Sequence, residues 1–569
     1  MNIRRYVTDV LVIGFGGAGL RAALEAARSG ARVLLIGKGG FTEGGATGYG
    51  ANEVAGFNVG DGIADPGDTP GEHYRDIMEA AQGAANPVLA RILAEQAPAA
   101  YAELQSWGLR CLESNGVPVV IRGCFASRSR MHMIPDHGKP ILSALRSQLG
   151  EHGYGTLERH VVTNLLVADG RCHGVLALDP RERPVLVTAG AVVLAAGGGG
   201  QLFVPNLYPM DITGDAYALA YRAGATLVNM EFMQAGLGVV VPGGRPRLLN
   251  SWMWRMRPGI VDERGRDLLG LRACDVDRCY ADKSHFPFSA VDSARHIEIT
   301  VKKAGRAERV FLDFTRAAGD EPADPQLRAL WRTSVEWYVQ HGVDIRDRPV
   351  EVTCVGHAVN GGVEIDAEGR TDLPGLFAAG ECAGGPHGAD RLGGNMLLAC
   401  QVFGSIAGRS AARFAMDSAA PGAAAGAELP EVEPSGGAGF TCECIGHLRA
   451  KLQESVSADY LVVKDAASLE RCEQTINSIE ARLAEPEASA AGTGSLRALA
   501  ELRSLLATAR CMVASARFRE ESRGAHFRED YPDPRPGWGT AVTCRSPQVG
   551  CRPVLAMRSF ADRERGGAT

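Results

Sequence analysis

Residues 8–36 read TDVLVIGFGGAGLRAALEAARSGARVLLI, and this stretch decides the fold. Residues 8–13 form an apolar run of the length of a buried strand, residues 20–30 place apolar side chains at helical spacing and end on Gly30, and residues 31–36 form a second apolar run. Strand, glycine turn, helix and strand in that order predict a right-handed βαβ unit on a parallel sheet. Gly14, Gly16 and Gly19 stand in the turn as G-x-G-x-x-G. Glycine there lets backbone approach a pyrophosphate at the helix N-terminus, where free N–H groups and the helix dipole face the anion.

The chain is 569 residues long, 45% hydrophobic and 22% charged, which excludes a disordered or disulfide-stapled miniature protein. Glycine supplies 71 residues without a triplet period, which implies many tight turns or close backbone approaches and not collagen. The net charge is −6 with no long Lys/Arg run, so the electrostatic footprint of nucleic-acid binding is missing. The apolar stretch at the N-terminus is too short for a signal peptide, and no apolar run reaches the ~20 residues of a membrane helix. The chain is therefore expected to be soluble and cytoplasmic, meeting a membrane only through partner subunits. Its 14 cysteines contain no C-x2-C pair, which predicts no metal or cluster site and leaves redox chemistry to another group.

Further strand-like runs at 190–196 and 376–379 lie far apart, which predicts an α/β Rossmann-like cofactor domain in two pieces, 1–225 and 346–415. The intervening 226–345 carries Trp252, Trp254, Trp331 and Trp337 with mixed strand and helix signals and reads as an inserted α+β capping domain. Residues 416–440, rich in Ala, Gly, Pro and Glu, read as a linker. Residues 441–569 read as a C-terminal helical domain, helical over 448–518, with a proline-rich irregular tail from Tyr531.

Where a dinucleotide fold that binds NAD carries an acid for the ribose, this chain has Gly37 and Lys38. Two more glycine-dense segments, 195–201 and 377–398, follow apolar strands, as expected when backbone touches a long cofactor repeatedly. A flavin dinucleotide suits that pattern better than NAD.

At this point GFGGAG, KGGFTEGGAT, TGD at 213–215, GRTDLPGLFAAGE, HGADRLGGNMLL and ESRGAHFREDYP stand in order along nearly the whole chain. Together they resemble the flavoprotein family of succinate dehydrogenase, fumarate reductase and L-aspartate oxidase. The resemblance implies FAD. Its contacts are expected at Gly14, Gly16, Gly17, Ala18 and Gly19, at Lys38, Thr42, Gly44 and Gly45, at Ala196, Gly197 and Gly198, and at Asp215, Glu381, Arg391, Asn395, Leu397 and Leu398. Many members hold FAD through a histidine just after the second strand, whereas the first histidine here is His73, so noncovalent FAD is expected. The family moves a hydride between flavin N5 and a carbon beside a carboxylate. Resemblance assigns the proton-transferring arginine to Arg295 and a carboxylate grip to His357 and Arg391.

The family's Q-F-H-P-T is replaced by Gln234, Ala235, Gly236, Leu237 and Gly238, and its T-E-x-x-R by Ser251, Trp252, Met253, Trp254 and Arg255. Ser251 and Arg255 survive as catalytic candidates, while the second-site histidine and the relay carboxylate are gone. This predicts a pocket with one carboxylate clamp and a far end widened by Gly236 and Gly238 and walled by Trp252 and Trp254. The expectation is an FAD-dependent oxidoreductase acting on a carboxylate larger or more apolar than a four-carbon dicarboxylate, such as a monocarboxylate, bound with an altered second end, and exchanging electrons with an iron–sulfur partner subunit or other acceptor. The rivals are a genuine succinate/fumarate enzyme or L-aspartate oxidase, an adenylylsulfate reductase-like enzyme, and a non-catalytic electron-transfer subunit.

Overall fold

A computed structural model describes residues 3–50, 52–242, 244–283, 288–315, 321–418, 440–485, 495–547 and 552–560. The strand Arg4–Ile13 pairs in parallel with Val33–Gly37 on one side and Pro184–Leu194 on the other. Tyr154–Glu158 extends the sheet in parallel beyond Val33–Gly37, and Leu376–Ala378 pairs with the end of Pro184–Leu194. Arg171–Leu178 and Val161–Ala168 continue it antiparallel. Strands covered on both faces read as unbroken apolar runs, which is why Val10–Ile13 and Ala191–Leu194 are almost wholly buried.

The helix Gly17–Arg28 follows the glycine turn and lies against the long helix Asn395–Asp417. Their backbones meet closely at Gly408, where a Cβ would overlap the carbonyl of Ala22. The piece after the cap is thereby locked onto the first βαβ unit, which makes the two segments one domain.

The cap holds a five-stranded antiparallel sheet ordered Arg247–Leu248, Met233–Val239, Val350–Val359, Val310–Asp313, Gly259–Val261. Its central strand ends at Val359, so the inserted unit runs past the expected boundary at 345. The strand Leu227–Val228, expected inside the cap, belongs to a different sheet. The helix Asn395–Asp417 passes the expected start of the linker, and most of 416–440 lies outside the described residues.

Beyond the linker, helices Cys442–Asp459, Ala466–Ala484 and Leu496–Phe518 form the expected helical unit. The tail is not irregular throughout. Ala541–Arg545 and Val554–Arg558 form a hairpin, and the first of these pairs with Leu227–Val228, which pairs in turn with Gly362–Glu364. The chain enters the cap just after Val228 and leaves it just before Gly362, so the tail strand is stitched onto the entry crossing and only through it to the exit. Asn229 receives the tail through Asn229 N to Val542 O (2.8 Å) and Val542 N to Asn229 Oδ1 (3.3 Å). Nearby, wholly buried Arg519 pairs with Glu231 at 2.7 Å and with Glu521 at 2.8 Å, and Glu521 also holds Arg523 at 2.7 Å. Deleting residues 541–569 is expected to lower the thermal midpoint by at least several degrees and to speed proteolysis within the cap, as mass spectrometry of the fragments would read. Equal cleavage in the full and shortened chains would refute this role of the tail.

Among the described residues no helix is long and apolar enough to cross a membrane.

Candidate active site

A cavity opens between the first domain and the cap. At one end the turn residues Gly14, Gly16, Gly17 and Ala18 line it, with Lys38, Gly44, Gly45, Ala196, Gly197 and Asp215. Gly14 holds φ at +118°, and a Cβ there would overlap the carbonyl of Ala195, so only glycine lets the two strand ends approach. The helix starting at Gly17 has no side-chain cap from Gly16, and Gly17 N donates to Thr47 Oγ1 at 3.1 Å, so its first turn presents N–H donors and a hydroxyl toward that end. A diphosphate fits that end by the donors it presents. Lys38 bridges to Asp215 at 2.7 Å and also reaches Thr213, so the lysine and the acid expected to touch the cofactor are held together.

Other expected contacts fall outside the lining. Gly19 packs its Cα against the carbonyl of Gly14, a helix-to-strand contact. Gly198 lies behind the wall against the Glu381 carboxyl, Thr42 is exposed, and Leu398 is wholly buried. Asn395 accepts from Asn58 at 2.7 Å and meets His73 Nε2 at 3.0 Å. Glu381 and Leu397 line the cavity. Burial pushes the Glu381 carboxyl up to about 7, opposed by the Val359 N–H and by Arg391.

At the other end Arg391 and His357 come together. Arg391 donates from Nε to Gln234 Oε1 (2.9 Å), from Nη1 to Leu392 O (2.8 Å) and from Nη2 to His357 Nε2 (3.3 Å). An arginine only donates, so His357 Nε2 accepts and its proton sits on Nδ1. Burial first, and Arg391 second, hold His357 down to about 3, so it is neutral at physiological pH. No carboxylate pairs with Arg391 within 4.0 Å among the described residues, and its remaining N–H groups are available to an anion entering the cavity. Ser251 and Arg391 both act on the Cys124 thiol, which burial nevertheless pushes up to about 11.

Two catalytic expectations are corrected by their positions. Arg255 is exposed on a shallow cleft beside Glu321 and Leu327, not in the cavity, because Ser251–Met256 is a 3-10 helix that carries it past the rim. Arg295 begins the helix Arg295–Ala304, donates to Ala290 O at 2.7 Å, lies over Phe527 and does not line the cavity. Gly236 and Gly238 do not widen the pocket either, since both are buried in the cap sheet and Gly238 packs on Pro246 and Val355. Of the two tryptophans, Trp252 walls the cavity, whereas Trp254 is cap core beside Tyr280 and Lys283. Asn52, Cys124, Tyr208 and Asn250 also line the cavity, and sequence reasoning misses all four. Asn250 alone carries a signal, its place beside Ser251.

The description "FAD binding domain" matches residues 9–397, and "Fumarate reductase flavoprotein C-term" matches residues 449–555. The chain belongs to the fumarate reductase and succinate dehydrogenase flavoprotein family. It is 33% identical over 550 residues to a fumarate reductase (CoM/CoB) subunit of Methanothermobacter marburgensis, covering 95% of this chain and 98% of that one. It is 30% identical over 586 residues to the L-aspartate oxidase of a Nostoc species, covering 96% and 95%. The solved structure of Mycobacterium smegmatis Sdh1 in complex with UQ1 superposes with a TM-score of 0.79 at 27% identity, covering 98% and 94%. This flavoprotein is thus an FAD-dependent oxidoreductase, and its glycine-lined end is where FAD fits.

The flavoprotein's H-G-A-D-R segment also places a buried acid beside the site. Asp390 accepts from Ser289 Oγ at 2.6 Å and Gln82 Nε2 at 3.2 Å, while burial pushes it from 3.8 up to about 8. A carboxyl raised by folding stabilises the fold at low pH, and that contribution is lost as pH rises from 3.8 through about 8. Asp390→Asn is expected to stabilise the fold over the parent more at pH 9 than at pH 5, by on the order of a few kcal/mol, read as a larger rise in thermal midpoint at pH 9. Equal shifts at both pH values would contradict it. Buried His73 and His387 and half-buried His357, each held to about 3, act oppositely: their contribution is complete above 6.5 and is lost as pH falls toward 3.

Proposed function

We propose that this flavoprotein moves a hydride to or from a carbon beside a substrate carboxylate held by Arg391 and His357, exchanging electrons with an iron–sulfur partner subunit. The carrying observation is the buried Arg391 guanidinium, bonded to Gln234, Leu392 and His357 yet, among the described residues, without an ion-paired acid, on the wall of the flavin cavity. A buried cation without a counter-ion is costly, and a carboxylate ligand removes that cost through charged hydrogen bonds. Neutral His357 adds a polar wall without repelling Arg391. The only lysine or arginine besides Arg391 among the described lining residues is Lys38, already paired to Asp215. One clamp and no second cation favour a substrate gripped by a single carboxylate.

When bound, the flavin supplies the hydride donor or acceptor. The chain's own part is to orient the carboxylate on Arg391, to close Trp252 and the cap over it against water, and to keep exchangeable protons on Ser251 and Cys124 beside it. The Methanothermobacter relative is by its name one subunit of a larger enzyme, which supports a partner for this chain.

The FAD-loaded chain is reduced anaerobically and mixed with fumarate or with cinnamate while flavin absorbance is followed. Reoxidation by the monocarboxylate but not by fumarate supports the single clamp. Fast reoxidation by fumarate alone returns the protein to ordinary dicarboxylate chemistry. Residues 39–47 contain no histidine, so acid precipitation is expected to release flavin to the supernatant. Flavin remaining in the pellet would instead demonstrate a covalent link.

A further inference from the structure

The family's FAD domain matches residues 9–397, yet the C-terminal helix Leu496–Phe518 reaches the flavin end of the cavity from outside. Lys38 is what it holds. Arg497 Nη2 donates to the Lys38 carbonyl at 2.7 Å, and one turn on, Glu501 Oε1 lies 3.7 Å from Lys38 Nζ. Residues four apart share a helix face, so one face takes both the backbone and the ammonium of the same lysine. Arg497 Nη1 also donates to Arg159 O at 3.2 Å, just past the neighbouring strand Tyr154–Glu158. Further along the helix, Thr508 Oγ1 lies 3.1 Å from the Gly214 carbonyl, and a Cβ on Gly214 would stand only 2.3 Å from that hydroxyl. Lys38 and Asp215 both line the cavity, so the helix backs the first directly and the second through the turn that leads into it.

We infer that the C-terminal helix is part of the cofactor site: Arg497 and Glu501 are positioning residues that set Lys38 and Asp215 for the adenosine half of the flavin dinucleotide. The end of the second strand is where a dinucleotide fold meets the adenosine ribose. Lys38 stands at that place and carries Asp215 on its ammonium at 2.7 Å. Glu501 is a second carboxylate on the same ammonium, balanced by Arg449 at 3.4 Å and by Arg497 at 3.9 Å. Without Glu501 the ammonium swings wholly onto Asp215, and without Arg497 the backbone that carries it is released. Neither residue lines the cavity, so each acts on the cofactor only through Lys38. Binding linkage is reciprocal: whatever docking of the helix adds to flavin affinity, the flavin adds to docking of the helix.

The test uses the full chain stripped of FAD, titrated with FAD by fluorescence quenching and with ADP as competitor. Glu501→Gln separates positioning from plain charge. Removing a negative charge beside a diphosphate would by Coulomb's law alone tighten binding, whereas loss of a positioning contact loosens it. FAD affinity is expected to fall at least fivefold in Glu501→Gln and at least tenfold in Arg497→Leu, the loss persisting in ~0.5 M KCl, where exposed charges are screened. ADP carries the adenosine half alone and should weaken by the same factors. In the parent, FAD is expected to slow amide hydrogen exchange across residues 496–508, and in Glu501→Gln to slow it less. Glu501→Gln carries the test if Arg497→Leu misfolds. FAD bound by Glu501→Gln as tightly as by the parent, or an Arg497→Leu loss that vanishes in salt, overturns the inference. ADP that does not compete with FAD, or that keeps its affinity in both variants, overturns the assignment to the adenosine half.

Discussion

Alanine at position 14 is expected to give a folded chain that purifies without flavin. The residue ends the first strand with φ at +118°, a region that an L side chain enters only with strain. Its added methyl would overlap the carbonyl oxygen of Ala195 and lie 2.8 Å from Ala195 C and 3.2 Å from Ala196 Cα. All three are backbone atoms at the end of the neighbouring strand, so no rotamer change relieves the clash. The strand ends must separate, and the glycine turn that faces the diphosphate moves with them. Flavin absorbance per chain is expected to fall to near zero, with the dissociation constant rising more than about 100-fold, on the order of 3 kcal/mol. Gly30→Ala is the control: φ is +88° but nothing lies within 4 Å of the added methyl, so it costs only about 1–2 kcal/mol of stability and keeps the flavin. Full flavin content in Gly14→Ala would mean that the turn does not position the cofactor.

The second large effect is expected at Arg391. Methionine keeps much of the side-chain volume but removes the cation, so carboxylate affinity should fall by about 10²–10³, equivalent to the roughly 3–5 kcal/mol of a buried charged contact broken from one side. Flavin content should stay near that of the parent, because the glycine-lined end is untouched. Lysine should not restore binding: an ammonium cannot reproduce the planar fork that bonds Gln234, Leu392 and His357 at once. A carboxylate that perturbs the flavin of Arg391→Met with unchanged affinity would place the clamp elsewhere.

The contrast between these two sites and the misplaced arginines shows what a sequence discloses. The turn at Gly14 is local: strand, glycines and helix are contiguous, and their spacing specifies the geometry. Arg391 is legible for a related reason, since it sits inside a dense run of matched residues. Arg255 stands at the right separation from Ser251, but in a 3-10 helix four residues rise about 8 Å, and that carries the guanidinium over the rim. The place of Arg295 depends on how the cap helix turns against the tail, where Phe527 offers its ring. Asn52 and Asn250 are 198 positions apart and meet only through tertiary packing, so no local pattern could have paired them. The tail's hairpin is hidden by its prolines and glycines, which signal turns but not what the residues between them pair with.

The stitching of Ala541–Arg545 onto Leu227–Val228 also carries a message about timing. Made from its N-terminus, the chain completes the flavin-binding turn first, the cap next, and the strand that fastens the cap after both. Until residues 541–545 are made, Leu227–Val228 is paired along one edge only, with Gly362–Glu364. Order of synthesis thus sets the cofactor's turn in place before the cap is fastened.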